Sequence, residues 1–377
     1  MKKILFVLPY YKIGGTLTSF SNLIPLIDKN EYEISAFALT SDIDDISVLP
    51  KNVIYLGLES SESSQKALKK GTKKILRWCK RTMTKFGYDP SDVVFKRMAQ
   101  SLSGKYDVVI SFQEGQATRM TQYIQAPKKI AWIHCMYSRF KEINKSCMVE
   151  AYNNFDKIVC VSNTAARDMI ECEPSWSDKI HVVYNAIDNA VIYAKALDDI
   201  AYKKNVNLIS VGRIDPVKRF SYIPEIARIL KDDGLDFDWW IIGGAVVQGE
   251  YTKLLNNIKL YQVDDCVHSL GAIFNPYPYI KSSTLLICLS SSETFNYTIA
   301  EAKALGVPVV STNFDSAYEF INHENTGLIL SIGDIANGIK RMLADKQLYS
   351  HIKNCIEYSP SITSTTKEQF RSLLENE

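Results

Sequence analysis

Two carboxylates with regular spacing mark the most chemically loaded stretch of the sequence. Glu293 and Glu301 stand eight residues apart in TLLICLSSSETFNYTIAEAKALGVPVVSTN, residues 284–313. Eight residues of helix are a little over two turns, so both side chains can point to one side. The backbone N–H groups of Phe295, Asn296, Tyr297 and Thr298 fall where a helix begins, and unpaired amides there suit a phosphate. Two carboxylates beside an anion site fit a ligand with many hydroxyls and a phosphate, such as a sugar nucleotide. The same pair also reads as a dipole-favouring Glu293 and a solvated Glu301. A second candidate group is cationic: Arg213 and Lys218, in GRIDPVKRF, residues 212–220. Two cations on a loop above a strand end give an anion charge-assisted contacts of about 1.5–3 kcal/mol each. The alternative is an ordinary surface loop.

The elements that must hold these groups follow from apolar patterning. Thr284–Leu289 is a short apolar run and reads as a buried parallel strand. Tyr297–Leu305 favours helix and stops at Gly306 with Pro308 beyond. Val307, Val309 and Val310 begin another strand. The loop and helix start therefore lie past the carboxyl end of a strand, where open α/β sheets bind ligands. The run Asn207–Val211 similarly precedes Gly212, and Trp239–Ile242 precedes Gly243-Gly244.

Earlier in the chain, Ile4–Leu8 reads as a strand followed by Gly14-Gly15. The next helix sets Leu17, Phe20, Leu23, Ile24 and Ile27 on one face, with Pro25 placed to kink it. Lys2 and Lys3 before ILFVL resemble a signal peptide, but the apolar run is too short and ends at Pro9. Strands are expected at Glu33–Leu39, Val53–Leu56, Val108–Phe112, Ile130–Ile133, Ile158–Val161 and His181–Tyr184. Their alternation with helices predicts a doubly wound parallel sheet. Glu114, His134, Ser162 and Asn185 each stand just past a strand, where a polar residue caps a helix or faces a ligand.

The stretch from Ser290 resembles the Glu-x7-Glu signature of retaining glycosyltransferases with the GT-B fold, in particular glycosyltransferase family 4. Ser290, Glu293, Phe295, Glu301, Ala302, Ala304, Gly306, Pro308, Val309 and Val310 carry the match. Gly212, Arg213 and Lys218 resemble the family's G-R-x-x-x-x-K-G segment, whose Arg and Lys hold the donor diphosphate. Two residues depart from the pattern. Thr294 and Arg219 stand where the family usually has Gly, and a position needing positive φ would strain either.

The resemblance implies two Rossmann-like doubly wound domains facing a central cleft. Residues 1–195 would form an acceptor-side domain and residues 196–360 a nucleotide-sugar domain, with a helix at about 361–377 crossing back. It implies that Gly14, Gly15, Gly212, Gly243, Gly244 and residues Phe295–Thr298 border the donor. Glu293 would bind donor-sugar hydroxyls, Glu301 the ribose, and His134 the donor sugar. Glu114 and Asn185 would line the acceptor side. Leu270-Gly271, Asn275-Pro276 and Tyr279 resemble the segment flanking the base, and Thr326-Gly327-Leu328 the turn after the next helix.

Composition bounds the remaining readings. The chain of 377 residues suits two α/β domains, and its net charge of +2 carries no global nucleic-acid signal. Eight cysteines without a C-x-x-C pair fit a reducing compartment rather than a disulfide framework or zinc site. Asp42-Ile43-Asp44 and Asp236-Phe237-Asp238 match a D-x-D metal pattern, which two acids in loops often meet by chance. Residues 66–85, KALKKGTKKILRWCKRTMTK, hold nine basic and no acidic residues, interleaved with Ile75, Leu76, Trp78 and Met83. Such a helix can lie on an anionic membrane or pack its apolar side on the sheet.

The expected function is metal-independent retaining transfer of a sugar from a UDP- or GDP-linked donor to an acceptor hydroxyl, with no cofactor and no nucleic-acid partner. A glycan or lipid-linked acceptor in bacterial surface polysaccharide synthesis is the expected context. The location would be cytoplasmic, peripheral on the inner face of the plasma membrane. The alternatives are a non-catalytic nucleotide-sugar-binding protein or partner subunit, and a sugar-nucleotide epimerase.

Overall fold

A computed structural model describes residues 1–12, 14–40, 43, 49–56, 91–144, 146–198 and 200–375. The basic stretch 66–85 and both acids of the Asp42–Asp44 pattern lie outside these residues. Two compact units divide the chain. Unit 1 is Met1–Ala186 with Thr366–Glu377, and unit 2 is Ile187–Thr365.

Unit 1 is built on seven strands: β1 (Lys2–Leu8), β2 (Tyr32–Ala38), β3 (Ile54–Leu56), β4 (Val108–Ser111), β5 (Lys128–Ile133), β6 (Lys157–Cys160) and β7 (Ile180–Val182). Their order is β3-β2-β1-β4-β5-β6-β7, and every pairing is parallel. β1, β4 and β5 read as near-continuous apolar runs because helices cover both faces of such a sheet. Ile4, Leu5, Phe6 and Val7 are all fully buried. The helix after β1 ends at Leu23, and Ile24–Leu26 continues as a single 3-10 turn with Pro25 inside it. Pro25 therefore ends the regular helix and does not merely kink it.

The last turns of the helix Ile362–Glu375 belong to unit 1. Phe370, Leu373 and Leu374 are buried there, and the Phe370 ring lies 6.1 Å from that of Trp132. Lys128 and Lys157 donate to the Leu374 and Leu373 carbonyls at 3.3 and 3.1 Å. Lysines at a helix C-terminus satisfy its orphan carbonyls and complement its dipole.

Unit 2 has six strands: β8 (Val206–Val211), β9 (Phe237–Ile242), β10 (Val267–Gly271), β11 (Leu285–Cys288), β12 (Val309–Thr312) and β13 (Gly327–Leu330). The order is β10-β9-β8-β11-β12-β13, again wholly parallel. One core joins Leu208, Trp239, Ile241, Leu285 and Ile287 of the sheet to Ile226, Leu254, Ile339 and Ile352 of the helices. Strand order reverses between β1 and β4 in unit 1 and between β8 and β11 in unit 2. Such switch points leave a crevice past the carboxyl ends of the two strands. The sequence candidates of unit 2 lie past β8 and β11, which are neighbours in register, Leu285 opposite Leu208 and Leu286 opposite Ile209.

Candidate active site

The loop after β8 is shaped to deliver a lysine. Gly212 has φ +151°, and a Cβ there would stand 3.2 Å from Lys218 Cε, so glycine leaves room for the lysine stem. Asp215 fixes the turn by accepting the Lys218 backbone N–H at 3.1 Å. Lys218 Nζ then donates to Glu293 Oε1 at 2.5 Å, with both side chains 14% exposed. Ser290 Oγ donates to the same oxygen at 2.7 Å, and Ser316 Oγ to the Glu293 carbonyl at 2.7 Å. Three further bonds tie these segments together: Ser291 N–H and Oγ donate to the Val217 carbonyl at 2.8 and 3.3 Å, and Thr298 Oγ1 to the Val211 carbonyl at 3.3 Å. Glu293 Oε2 has no protein partner among the described residues. Arg213 differs from Lys218. Its side chain is 71% exposed and lies 3.4 Å from Asp215.

The two departures from the family pattern behave differently. Thr294 is not among the positive-φ residues, so threonine carries no left-handed strain there. Arg219 has φ 53° and ψ 30°, the left-handed region that a glycine would occupy without penalty. The chain thus holds a left-handed turn here with a residue less suited to it than glycine.

At the helix Tyr297–Ala304, Asn296 caps by accepting the Ile299 N–H at 3.0 Å. Asn296 itself is buried and donates to Cys288 Sγ. Phe295 is buried too, with its ring 4.8 Å from that of Phe320. These two side chains serve packing and capping, which leaves main-chain groups as their means of meeting a ligand. Glu301 lies farther along this helix. Tyr277 O–H donates to its Oε1 at 3.1 Å. Burial pushes the Glu301 carboxyl up to about 7, against the lowering influence of Tyr277 and of Lys218.

Gly243 has a packing role. A Cβ on it would stand 1.8 Å from the Gly212 carbonyl oxygen, so the β8 and β9 ends meet only because it is glycine. Gly244 accepts the Ile214 N–H at 2.9 Å through its carbonyl. Asp236 and Asp238 do not behave as a metal motif. They sit at the start of β9, the opposite end of the strand from Gly243. Lys204 lies 3.2 and 3.6 Å from them, and His268 Nε2 is 2.9 Å from Asp238. Among the described residues no His, Cys, Asp and Glu groups gather as for a metal ion. A cavity of about 540 Å³ lies behind the helix Tyr297–Ala304, beside Lys303, Tyr349 and Lys353, and contains none of the assigned residues.

In unit 1, Gly14 precedes the helix Gly15–Leu23, and a Cβ on Gly14 or Gly15 would meet nothing within 4 Å. Ser19 Oγ of that helix donates to Asn185 Oδ1 at 2.6 Å, which ties the loop after β7 to the helix after β1. Glu114 Oε2 accepts the His134 backbone N–H at 2.9 Å. His134 Nε2 lies 3.1 Å from the Phe112 carbonyl, which only accepts, so this nitrogen carries the proton. Burial lowers the His134 pKa while Glu114 and the carbonyl raise it, and the net direction is down. Burial thus favours the neutral imidazole. Ser162 is a helix cap, accepting the Ala165 N–H at 3.1 Å.

Sequence reasoning did not assign Asp215, Tyr277 or Ser316. Asp215 had a local signal, an Asp three residues before the lysine whose N–H it accepts. Tyr277 and Ser316 lie 24 and 23 residues from their partners, and only the fold joins them.

Two family models match the chain. Glycosyl transferases group 1 covers residues 198–360 and Glycosyltransferase Family 4 covers residues 65–191. A Campylobacter jejuni enzyme, N-acetylgalactosamine-N,N'-diacetylbacillosaminyl-diphospho-undecaprenol 4-alpha-N-acetylgalactosaminyltransferase, is 30% identical over 216 residues. That match spans 56% of this chain and 57% of the relative. The N-acetyl-alpha-D-glucosaminyl L-malate synthase of Bacillus anthracis is 26% identical over 226 residues, 58% of this chain and 56% of the relative. The chain thus spans little more than half the length of these relatives. Anabaena HepE, solved with UDP and glucose, has a TM-score of 0.72 over 100% of both chains at 16% identity, a likeness of fold.

Proposed function

The chain belongs to the GT-B glycosyltransferases of the group 1 and family 4 type, and we propose that it moves a sugar from a nucleotide donor to an acceptor hydroxyl with retention of configuration. The observation that carries this reading is the strand-end cluster of unit 2. A part-buried lysine there pairs with a carboxylate held by Ser290, and an exposed arginine stands on the lysine's own loop. Arg213 and Lys218 neutralise the leaving diphosphate, and a diphosphate competes with Glu293 for Lys218. Preorganised charge of this kind is commonly the largest catalytic contribution. Glu293 Oε2 receives donor-sugar hydroxyls and Glu301 the ribose. On this reading the acceptor hydroxyl attacks the anomeric carbon on the face from which the phosphate leaves, with no covalent intermediate on the enzyme. The carbon–phosphate-oxygen bond breaks, and the acceptor proton passes to that oxygen.

In unit 1, Gly14 and Gly15 have open space for a donor phosphate. His134, neutral and fixed by Glu114 and the Phe112 carbonyl, offers Nδ1 as an acceptor to a sugar hydroxyl. Glu114 and Asn185 lie on the acceptor side. The donor is UDP- or GDP-linked and the acceptor a glycan, lipid-linked in bacterial surface polysaccharide synthesis. The Campylobacter relative, whose name includes a diphospho-undecaprenol, supports the lipid-linked acceptor. The Bacillus relative, named for L-malate, is the counter-example. Among the described residues no helix is long and apolar enough to cross a membrane. Peripheral binding on the inner leaflet would rest on the basic residues 66–85.

Three results are expected. The product anomer, read by NMR, matches the donor's. Transfer survives EDTA, because on this reading Arg213 and Lys218 supply the positive charge that the leaving diphosphate needs. The protein binds anionic vesicles in a salt-sensitive way, and replacing Lys69, Lys70, Lys73, Lys74 and Arg77 with Gln releases it while transfer to a short soluble acceptor persists. An inverted product overturns the retaining mechanism. Loss of activity on chelation, restored by Mn²⁺, overturns metal independence. Equal binding to neutral and anionic vesicles overturns the membrane assignment.

A further inference from the structure

Glu301 sits mid-helix in Tyr297–Ala304, and its carboxylate is not left to find its own orientation. Tyr277 opens the short helix Tyr277–Lys281, with Pro276 and Pro278 on either side. Prolines fix φ, so the tyrosine is presented from a stiff support. Its hydroxyl donates to Glu301 Oε1 at 3.1 Å, and Glu301 Oε2 has no protein partner among the described residues. The charged and titratable groups acting on Glu301 are Tyr277 and, from the loop after β8, Lys218. A carboxylate oxygen accepts more than one hydrogen bond. The phenol thus uses part of the acceptor capacity of one oxygen and leaves the rest for donors in a fixed direction. Paired hydroxyls, such as the 2′,3′-diol of a ribose, match a carboxylate held this way.

We propose that Tyr277 is a positioning residue of the nucleoside subsite, orienting Glu301 for the ribose diol of a nucleoside diphosphate. This rests on the nucleotide-sugar reading of the same site. The hydrogen bond that orients the carboxylate also favours its ionised form. Removing the phenol oxygen therefore disturbs both the direction and the titration of Glu301, whereas loss of packing alone disturbs neither.

The test measures UDP, GDP, ADP and CDP binding by calorimetry between pH 5.5 and 8.5. It compares the wild type, Tyr277→Phe and Glu301→Gln, with 2′,3′-dideoxy forms of whichever nucleotide binds. Wild-type affinity should rise with pH through about 7. Tyr277→Phe should bind roughly three- to tenfold more weakly at pH 7, with the protein-dependent midpoint moved upward. Glu301→Gln should lose that protein-dependent rise, leaving only the ligand's own titration. The dideoxy ligand should bind wild type and Tyr277→Phe alike. Wild-type affinity and midpoint in Tyr277→Phe would overturn the proposal and leave the nucleotide site standing. Weaker binding with an unchanged midpoint would also overturn it, because packing alone would explain that. No binding of any of the four to the wild type would remove the nucleotide reading itself. A carboxyl ¹³C titration of Glu301, assigned by difference from Glu301→Gln, shows separately whether the phenol acts on this group. An unchanged midpoint in Tyr277→Phe there counts against the proposal.

Discussion

Lys218 and Arg213 are both cations past the end of β8, yet they should fail differently. Lys218 is part-buried against Glu293. Removing it strands a carboxylate with little water, a change worth about 3 kcal/mol or more. Lys218→Met should therefore lower the melting temperature of unit 2 as well as abolish transfer. Adding Glu293→Gln should recover much of the stability but none of the activity. Arg213 is exposed, and a surface pair such as its contact with Asp215 contributes about 0–1 kcal/mol. Arg213→Ala should leave melting nearly unchanged while slowing transfer roughly 10- to 100-fold, the value of one charge-assisted phosphate contact. Glu301 makes a pH prediction without any ligand. Its folded pKa of about 7 exceeds its ordinary 4.5. Its contribution is then complete below about 4.5 and is lost as pH rises through about 7. Glu301→Gln should flatten that part of a melting-versus-pH curve, and an unflattened curve would show the carboxyl to be ordinary.

Glycines at strand ends divide between packing and access, and the two kinds can be told apart at the bench. Gly243→Ala forces a Cβ to within 1.8 Å of the Gly212 carbonyl, so the β8 and β9 ends must separate. The variant should be destabilised before any assay of function. Gly14→Ala and Gly15→Ala meet nothing within 4 Å, so melting should hold and any loss of activity reports a ligand contact. Arg219→Gly removes an L-residue from φ 53° and should stabilise unit 2 by about 0.5–1 kcal/mol, visible as a higher melting temperature. The strands were legible in the sequence because sheets covered on both faces show as short apolar runs. The loops after β8 and β11 were legible because their chemistry is local: a Gly-Arg, a lysine six residues on, a Ser three before a Glu. What stayed hidden is contact at a distance. The Tyr277 and Ser316 partnerships join separate elements, and the packing role of Gly243 depends on the backbone of a neighbouring strand. The Asp236–Asp238 pattern matched a metal motif in spacing, but only topology puts it at the opposite end of β9 with Lys204 and His268 as partners.

At the scale of the whole molecule there are two Rossmann-like units. Unit 2 carries Arg213, Lys218, Glu293 and Glu301, the residues proposed to meet the diphosphate and nucleoside, and unit 1 carries the glycine loop, His134, Glu114 and Asn185. In each unit the candidate loops follow the carboxyl ends of parallel strands, and those after β1, β4, β8 and β11 stand where the sheet order reverses. The central claim is that the cluster of unit 2 activates a nucleotide sugar. A panel of UDP- and GDP-sugars, scored for acceptor-dependent release of nucleoside diphosphate by the wild type and by Arg213→Ala, tests it most directly. One donor should give release that requires the acceptor, and Arg213→Ala, fully folded, should release at least tenfold more slowly. Release at the wild-type rate in Arg213→Ala, or no release from any donor with any glycan acceptor, would contradict the claim.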